Sequence, residues 1–370
     1  MKKICHLTIP HSRYDERIFL KECRSLAKAG YEVTLLCADN KPDEFIDGVT
    51  IKSVPYQPKN RIARILNAKK IMLRYAIELN ADIYHFHDPE LLPLGLALKK
   101  RGKIIIYDSH EDVPRQILSK IWIPLIFRKL ISYYFEKYEK SVAQKINFVI
   151  SATPHIEQMF RKYCTHVGTV FNYPLLSEFE TFQSWVKKNA SCCYIGGISE
   201  NRGINQLIEA IGLTKVNLNL CGNFESAELQ DKIFRSEGFQ FVHFHGFLNR
   251  EEVINVLSES MIGLVTLLAS ENHIKSYPIK MFEYMAAGIP VIASDFPLWK
   301  EILQINDCGL VVNPYDVNSI ANAINYLIAR PDEAERMGKN GYNAFIDRYN
   351  WATQEVILIG IYKHLFSQNN

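Results

Sequence analysis

The stretch SYPIKMFEYMAAGIPV, from Ser276 to Val291, predicts a short helix that leads directly into a buried strand reading PVIAS. Pro278 suits the first helical position, because its missing N–H costs nothing there, and Ser276 can accept hydrogen bonds from the amides of the first turn. Lys280 and Glu283 then share one helix face. The start of such a helix, at the end of a parallel sheet, favours an anion. The pattern indicates an α/β fold. Either Lys280 holds a diphosphate and Glu283 accepts hydrogen bonds from a sugar hydroxyl pair, or the helix is an ordinary amphipathic one with a surface lysine and glutamate.

Apolar runs of strand length alternate with helical patterns through the rest of the chain. The runs are KKICHLTI, YEVTLLC, DIYHFH, KIIIYDSH and NFVIS in the first half, and CCYIGG, VNLNLCG, FQFVHFHG, MIGLVTLL, PVIAS and GLVV in the second. Strands separated by helices imply parallel sheets with right-handed crossovers. At 370 residues the chain suits about two domains. The sequence therefore predicts two doubly wound α/β domains that face each other across a cleft.

The alternation is interrupted near VFNYP and by the polar stretch that follows it, and then restarts. We therefore expect an N-terminal domain over residues 1–174, a linker over 175–190 and a C-terminal domain over 191–349. The final segment, 350–370, is expected to be a helix that crosses back to the first domain.

The composition excludes disorder, because 48% of the residues are hydrophobic. The sequence has no uncharged apolar run of the ~18 to 20 residues that a membrane-spanning helix needs. Its first residues read as a strand and not as a signal peptide. We therefore expect a cytoplasmic protein, either free or peripheral on the inner face of the plasma membrane.

Eight cysteines lie at positions 5, 23, 37, 164, 192, 193, 221 and 308, without a CxxC pair or a histidine cluster at zinc spacing. Several of them end apolar runs, where a reduced thiol behaves as a small hydrophobe. We expect all eight to be structural thiols in a reducing compartment.

A glycine turn follows the strand CCYIGG and reads GGISENRGINQLIEAI. Gly196, Gly197 and Gly203 let the backbone approach a ligand closely, and Arg202 at the helix entrance can neutralise a phosphate. The third glycine comes six residues after Gly197, so the turn is not the dinucleotide fingerprint GxGxxG. A nicotinamide-dependent dehydrogenase is therefore not supported.

These motifs resemble those of the retaining GT-B glycosyltransferases of family GT4. NRGINQLIEA, VHFHGFLNREEV and FEYMAAGIPVIAS stand in the order and spacing of the C-terminal half of that family. The stretch HSRYDERIFLKECRSLAKAGYEV resembles its first βα unit, and the resemblance covers essentially the full length. It implies the GT-B fold of two Rossmann-like domains, with a nucleotide-diphosphate sugar bound by the second domain and the acceptor received by the first.

The resemblance implies that Arg202 and Lys280 hold the donor diphosphate, beside Gly197 and Ser276, and that Glu283 binds the ribose. UDP is our default expectation for the nucleotide. No cofactor is expected beyond this co-substrate.

Two positions depart from the family pattern. Lys275 stands where the E-x7-E motif has its first glutamate, and Ile198 stands where an arginine usually follows the turn glycine. The sequence instead resembles a subgroup with SxPxK before the FEYMA helix, in which Lys280 replaces the missing cation.

Charged residues also follow three strands of the first domain. They are Arg13, Asp15, Arg17, His87, Asp88, His110, Glu111 and Asp112. A carboxylate at a helix start is usually a cap, and a lone histidine is usually structural, but two histidine clusters at adjacent strand ends indicate a site. The resemblance makes His110 the contact to the donor sugar, with Glu111 and Asp112 nearby to orient it or to meet the acceptor.

Retaining enzymes of this fold lack an obvious protein nucleophile, so the resemblance implies a same-face reaction. The catalytic residues would be His110, Arg202 and Lys280, and the leaving diphosphate would take the acceptor proton. The sequence contains no DxD, so we expect no metal in the reaction.

Residues 1–174 hold 28 Lys and Arg against 18 Asp and Glu, whereas the remainder holds 15 against 22. Two stretches, KNRIARILNAKKIMLRYAIEL and SKIWIPLIFRKLISYYFEKYEK, mix these cations with apolar residues. They are either core-facing helices with solvated basic faces or surfaces that dock on an anionic membrane. We expect a lipid-linked or oligosaccharide acceptor, in the synthesis of a bacterial surface polysaccharide, and no nucleic acid partner.

Two alternatives remain open at the level of sequence. One is a nucleotide-sugar epimerase of the same fold, which would convert the donor without an acceptor. The other is a degenerate homologue that binds nucleotide or lipid without turnover, which the departures at Lys275 and Ile198 would suit.

Overall fold

The computed structural model describes residues 1–55, 61–120, 123–179, 185 and 188–368, without the side chains of 61–66, 68, 69 and 119. The chain divides into two compact units. Unit 1 contains Met1–Asn172 and the chain from Trp351 onward, and unit 2 contains Tyr173–Asn350. Much of the expected linker 175–190 lies outside the described residues, as do Lys59 and the side chains of Arg61, Arg64 and Lys69 in the first basic stretch.

Fourteen strands are present in the described part of the chain. They are β1 Lys3–Thr8, β2 Glu32–Cys37, β3 Glu44–Ile46, β4 Val49–Ser53, β5 Ile83–Phe86, β6 Ile104–Ser109, β7 Phe148–Ser151, β8 Val167–Thr169, β9 Asn189–Ile195, β10 Asn217–Cys221, β11 Val242–Gly246, β12 Ser260–Val265, β13 Val291–Ser294 and β14 Gly309–Val312.

Fifteen α-helices accompany these strands in the same described residues. They are α1 Arg24–Lys28, α2 Arg61–Leu79, α3 Leu92–Lys99, α4 Val113–Ser119, α5 Leu125–Ala143, α6 Pro154–Arg161, α7 Ile204–Thr214, α8 Ala227–Phe234, α9 Arg250–Glu259, α10 Glu271–Ile274, α11 Ile279–Ala286, α12 Pro297–Ile305, α13 Val317–Ile328, α14 Pro331–Asp347 and α15 Trp351–Ser367. A π-helix over Glu16–Cys23 leads into α1.

Unit 1 is built on an eight-stranded sheet in the order β3-β4-β2-β1-β5-β6-β7-β8. All neighbouring strands are parallel except β3, which pairs antiparallel with β4. The direction of winding reverses between β1 and β5. Ligands of doubly wound sheets bind at the carboxyl ends of the strands beside such a reversal, so the residues after β1, β5 and β6 are in the expected place.

Unit 2 is built on a six-stranded parallel sheet in the order β11-β10-β9-β12-β13-β14. The winding reverses between β9 and β12. The glycine turn that follows β9 therefore lies at the switch point of this sheet, where its backbone is open to a ligand.

The predicted α/β class, with two doubly wound parallel sheets, is confirmed. The sequence did not predict the β3–β4 hairpin or the strand β8, whose strands are short, or the helices α6 and α12, which are eight and nine residues long. The helix α15 packs within unit 1, where Trp351 Nε1 donates to Ser25 Oγ at 2.9 Å and the Tyr362 hydroxyl hydrogen-bonds His85 Nδ1 at 2.8 Å.

All eight cysteines are free thiols. Seven are buried and Cys164 is half-buried. Burial raises the pKa of these thiols, as for Cys37 and Cys193, which reach about 12. The distribution is even, since four cysteines lie in each unit.

Among the described residues, no helix combines the length and the apolar character needed to cross a bilayer.

Candidate functional site

The helix α11 begins one residue later than the sequence predicts, and its cap is different. Pro278 is the N-cap residue, with φ −70° and ψ 119°, and no side chain caps the helix. The expectation that Ser276 accepts hydrogen bonds from the first turn is wrong, because its hydroxyl instead donates to the carbonyl of His273 at 2.9 Å. The Met281 amide donates to the carbonyl of Pro278 at 3.0 Å, so the earlier amides of the turn, those of Ile279 and Lys280, are the ones that can face an anion. A Ser276 contact to the donor stays a prediction.

The glycine turn after β9 comes close to a second turn after β10. Gly196 has φ +114° and its N–H donates to the carbonyl of Cys221, while Gly222 has φ +143°. A Cβ at Gly222 would stand 2.0 Å from the carbonyl oxygen of Gly196, so a side chain is excluded there. Glycine at this position lets the two backbones meet and sets the shape of the turn.

Two cations lie directly against this turn. A Cβ on Gly196 would stand 3.4 Å from Lys280 Nζ and 3.6 Å from an Arg202 nitrogen. Arg202 donates to the carbonyl of Gly197 at 3.3 Å. The structure therefore brings together four of the residues that the sequence predicted for a diphosphate, including the two whose charge would bind it.

The Lys280 ammonium is buried and has no hydrogen-bond partner among the described residues. It lies 3.7 Å from the centre of the Tyr194 ring. Burial and the neighbouring Arg202 charge lower the pKa of Lys280 to about 7. A buried cation without a partner is costly, and such strain concentrates where a ligand is to be bound.

The imidazole of His273, in α10, lies near Arg202 and Lys280, and the sequence did not predict it as part of the site. Its Nδ1 is 2.8 Å from the carbonyl oxygen of Leu268. Burial lowers the pKa of His273, and the charges of Arg202 and Lys280 lower it further. The imidazole is therefore neutral beside two cations, with a ring nitrogen that can serve a ligand.

Glu283 is buried on the same helix as Lys280, and it accepts a hydrogen bond from the guanidinium of Arg250. Arg250 also forms a two-pronged ion pair with Glu178, at 2.9 and 2.8 Å. The sequence did not predict either partner, since both come from other segments of the chain. The ion pair fixes the direction of the Glu283 carboxylate, whose contact with a ribose remains a prediction.

In unit 1, Arg17 is turned inward and not toward a ligand. Its guanidinium pairs with Asp108 through two hydrogen bonds, at 2.9 and 3.0 Å, and donates to the carbonyl of Val170. Burial favours a neutral Asp108, but Arg17 and then His110 hold the pKa of that carboxyl well below its usual range. Arg17 therefore keeps Asp108 ionised.

His110 is held by this carboxylate. Its Nε2 is 3.0 Å from Asp108 Oδ2, and its side chain is 21% exposed. Anchoring the ring through Nε2 leaves Nδ1 as the nitrogen that can face a ligand. Of the three predicted catalytic residues, His110 is thus the one that unit 1 presents at the end of β6.

A second group, which includes the unpredicted His11, lies after β1. His11 stands between two carboxylates, 3.3 Å from Asp15 and 3.4 Å from Asp88. Hydrogen bonds to Asp15 and then to Asp88 raise the pKa of His11 to about 10, so the ring is charged at neutral pH. Asp15 also caps the π-helix by accepting from the amides of Arg17 and Ile18. The signal for His11 was its place directly after a buried strand.

Three further histidine side chains are buried beneath this edge. His6 Nδ1 is 3.0 Å from His87 Nε2, and His85 stacks on His87 at 4.5 Å between ring centres. Burial lowers the pKa values of all three rings. His87, predicted to serve the acceptor or the sugar, is therefore an interior neutral residue that supports Asp108.

Two groups in unit 1 have ligand atoms close enough to hold a metal ion. They are His6 with Glu22, His85 and His87, and His87 with Asp108 and His110. Burial and the nearby Asp108 charge raise the pKa of Glu22, while the single cation Arg17 is shared by both carboxylates. Both nitrogens of His6, Nε2 of His87 and Nδ1 of His85 already form hydrogen bonds to one another or to Tyr362, whereas His85 Nε2 and the Glu22 carboxylate have no hydrogen-bond partner among the described residues.

The remaining predicted residues of unit 1 already bond to other side chains or amides of the same unit. Arg13 is buried in ion pairs with Asp39 and Glu44. Asp112 caps α4 by accepting from the amide of Arg115. Glu111 is exposed and hydrogen-bonds Gln116, while Asp88 accepts from the amide of Ile9. Direct contact of these side chains with an acceptor or sugar stays a prediction.

The comparisons with known families match each unit separately. Residues 178–344 match the model described as glycosyl transferases group 1, and residues 16–168 match that of glycosyltransferase family 4. The first match contains the glycine turn, Arg202, Lys280 and Glu283. The second contains His110, Asp108 and Arg17.

Individual relatives are distant but match over long stretches. The MMP alpha-(1->4)-mannosyltransferase of Mycolicibacterium hassiacum is 21% identical over 82% of this chain and 73% of its own length. The phosphatidyl-myo-inositol mannosyltransferase of Mycobacterium leprae is 21% identical over 93% of this chain and 88% of its own.

Solved structures show the fold. Sucrose-phosphate synthase from Thermosynechococcus elongatus superposes with a TM-score of 0.80 at 19% identity and full coverage of both chains. HepE of Anabaena in complex with UDP gives 0.71 at 17% identity, over 99% of this chain and all of that one. The chain therefore has the GT-B fold, and one glycosyltransferase model matches within each of its two units.

Proposed function

We propose that the protein transfers a sugar from a nucleotide-diphosphate donor, with UDP favoured, to a glycan or lipid-linked acceptor. The observation that carries this proposal is the buried Lys280 ammonium, which has no hydrogen-bond partner among the described residues and lies beside Arg202 and the glycine turn. A diphosphate would supply the charge that this pair of cations lacks. The neighbour HepE was solved with UDP, which supports the same class of nucleotide.

The donor contacts follow from the positions of the side chains in unit 2. Arg202, Lys280 and the first amides of α11 bind the diphosphate, and Glu283, aligned by Arg250, accepts hydrogen bonds from the ribose hydroxyls. Gly197 and Ser276 line the same turn and helix start. His110 contacts the transferred sugar through the ring nitrogen that Asp108 does not hold.

The proposed reaction retains the configuration of the sugar. The bond between the sugar carbon and the diphosphate oxygen breaks as the acceptor oxygen attacks from the same face, and the acceptor proton passes to the leaving diphosphate oxygen. Arg202 and Lys280 stabilise the negative charge that develops on that oxygen. None of these steps uses a metal or a cofactor.

The proposed acceptor is an oligosaccharide or lipid-linked glycan of a bacterial surface polysaccharide. The name of the phosphatidyl-myo-inositol mannosyltransferase includes that of a lipid, and unit 1 of this protein holds more Lys and Arg than Asp and Glu. Both facts favour an enzyme that works in the cytoplasm at the inner face of the plasma membrane.

The test is the thermal stability of the purified protein with UDP, GDP, ADP and their sugars. We expect one nucleotide to raise the melting temperature of the wild type, and Lys280→Met and Glu283→Gln to abolish that rise. Lys300→Met and Glu301→Gln, at exposed positions of α12, are matched controls and should respond like the wild type.

Sugars of the nucleotide that raises the melting temperature are then incubated with the protein and acceptor glycans. The anomeric configuration of the product is determined by NMR. A product of inverted configuration would refute the same-face reaction. If no nucleotide changes the melting temperature of the wild type, the donor site itself is refuted.

A further inference from the structure

The helix α5, Leu125–Ala143, shows an unusual distribution of its side chains. The residues that it buries include Ser132 and Glu139, which are polar. Ser132 Oγ donates to the carbonyl of Pro114 at 2.7 Å, and Glu139 accepts from the hydroxyl of Tyr107 at 3.0 Å. The helix also packs Phe135, Val142 and Ala143 on the core of unit 1, so it does face the core as interpreted. Its solvated face, however, is not only basic, because most of its large apolar side chains point outward.

Eight of the 22 large hydrophobic side chains that are exposed in the described part of the chain lie on this one helix, so the exposure is not scattered. They are Leu125, Ile126, Phe127, Leu130, Ile131, Tyr133, Tyr134 and Tyr138. Leu125 and Ile126 are 77% and 80% exposed. Soluble proteins rarely leave a continuous apolar patch of this kind unless it binds something.

The apolar side chains form a stripe along the helix. Ile126, Leu130 and Tyr134 follow one another at intervals of four residues and so lie in one row on the outer face. The tyrosines occupy the middle and the carboxyl-terminal half, where an aromatic ring with a polar hydroxyl suits the boundary between hydrocarbon and water.

Cations lie beside and within this stripe. Lys129 is exposed on one flank, whereas the exposed Lys137 follows Leu130 by seven residues and so lies within the row itself, where its ammonium is 4.4 Å from the centre of the Tyr133 ring. From Val113 to Phe135 the sequence contains four Lys and Arg and no Asp or Glu. Of the two acids in α5, Glu139 is buried and Glu136 pairs with Arg115. The exposed charge of the patch is therefore positive.

We propose that α5 docks unit 1 on an anionic lipid surface, with its axis in the plane of the membrane. The apolar stripe enters the boundary between headgroups and acyl chains, and the exposed lysines extend to the headgroup level and bind lipid phosphates. This proposal rests on the proposed function in one respect, since it supplies the site at which a lipid-linked acceptor is met.

The experiment is flotation of the full-length protein with vesicles of phosphatidylcholine alone, or of phosphatidylcholine mixed with phosphatidylglycerol, at low and high salt. We expect the wild type to float with the mixed vesicles and to be released by salt. Ile126→Ser with Leu130→Ser should lower the partition coefficient for the same vesicles, obtained from the bound fraction at several lipid concentrations, about tenfold or more. Lys129→Gln with Lys137→Gln should lower that coefficient roughly thirtyfold at low salt.

The matched control is Phe45→Ser with Val356→Ser, two side chains of unit 1 that are 74% and 73% exposed and lie outside α5. It should float like the wild type. Equal flotation of the Ile126 and Leu130 variant would overturn the proposal. So would an α5-dependent dimer of the lipid-free protein, because a second copy would then cover the stripe.

Each variant is also tested for the rise in melting temperature caused by nucleotide. The α5 variants should keep it, which shows that unit 2 is intact. Loss of flotation with the nucleotide response retained supports the docking helix, whereas flotation without any nucleotide response refutes the donor site and leaves the docking helix standing.

Discussion

The ammonium of Lys280 is buried and has a pKa near neutrality, so diphosphate binding by this group should depend on pH. Burial and Arg202 lower the pKa of the group to about 7 in the free protein. A bound diphosphate would favour the charged form, so binding above pH 7 has to take up a proton.

We therefore expect the affinity for UDP to fall as pH rises from 7 to 9, by up to about tenfold per pH unit. Titration calorimetry at three pH values measures the dissociation constant, and a change of buffer ionisation enthalpy measures the proton uptake. Lys280→Met should bind weakly and with little dependence on pH. An affinity of the wild type that is constant across this range would contradict the assignment.

The contribution of Arg250 to stability and to nucleotide binding can also be measured by substitution. Its guanidinium stands between Glu178 and Glu283, whose side chains are only 13% and 7% exposed. Arg250→Met would leave two nearly buried carboxylates without their shared cation. We expect a loss of about 3 kcal/mol in the free energy of unfolding, measured with denaturant.

Arg250→Lys should lose less stability than Arg250→Met, because it keeps the charge but not the two-pronged geometry. It should also weaken nucleotide binding by misdirecting the Glu283 carboxylate. A variant as stable as the wild type, with unchanged nucleotide affinity, would show that the ion pair contributes nothing measurable.

The residues that sequence predicted best are those with a local signature. Lys280 and Glu283 share one helix, and Arg202 follows a glycine turn, so their proximity to a strand end could be read directly. Arg250, Glu178, His11 and His273 were missed. Each meets its partner through the packing of segments that are distant along the chain, which residue spacing in one sequence does not specify.

At the scale of elements, periodicity placed α5 correctly but did not tell which side faces the sheet. A helix with leucines, tyrosines and lysines suggests a buried apolar face, but the structure buries Ser132 and Glu139 beside Val142 and Ala143 and leaves the leucines and tyrosines exposed. The hydrogen bonds of the two polar side chains to Pro114 and Tyr107 compensate the burial. The orientation therefore depends on two polar contacts that a hydrophobic pattern cannot register.

The turns after β9 and β10 give a prediction at the same scale. Gly222→Ala would place a Cβ against the carbonyl of Gly196, at a φ that L-residues rarely adopt. We expect a loss of roughly 3 kcal/mol or more in the free energy of unfolding, and loss of nucleotide binding, because the diphosphate turn must shift.

Gly246→Ala is the matched control for this substitution. Gly246 also has a positive φ, +67°, but a Cβ there meets nothing within 4 Å. It should lose only about 1 kcal/mol and keep nucleotide binding. Equal effects of the two substitutions would show that backbone strain, and not the close approach of the turns, determines the cost.

At the scale of the whole molecule, the clearest prediction concerns metals. The proposed transfer relies on Arg202, Lys280 and helix amides for the diphosphate, so transfer activity should survive extensive chelation. Activity is measured with and without chelator, before and after addition of Mg²⁺ or Mn²⁺. Loss of most activity in chelator, restored by either ion, would contradict metal independence.

The presence of buried thiols in both units, three in unit 1 and four in unit 2, has a practical consequence for following their motions. A thiol reagent can reach Cys5, Cys23 or Cys37 only when unit 1 opens, and Cys192, Cys193, Cys221 or Cys308 only when unit 2 opens. Mass spectrometry of the labelled peptides then gives a separate opening rate for each half of the native protein. A nucleotide that binds unit 2 alone should slow the labelling of its four cysteines and leave the other half unchanged, so the chain carries its own built-in reporters.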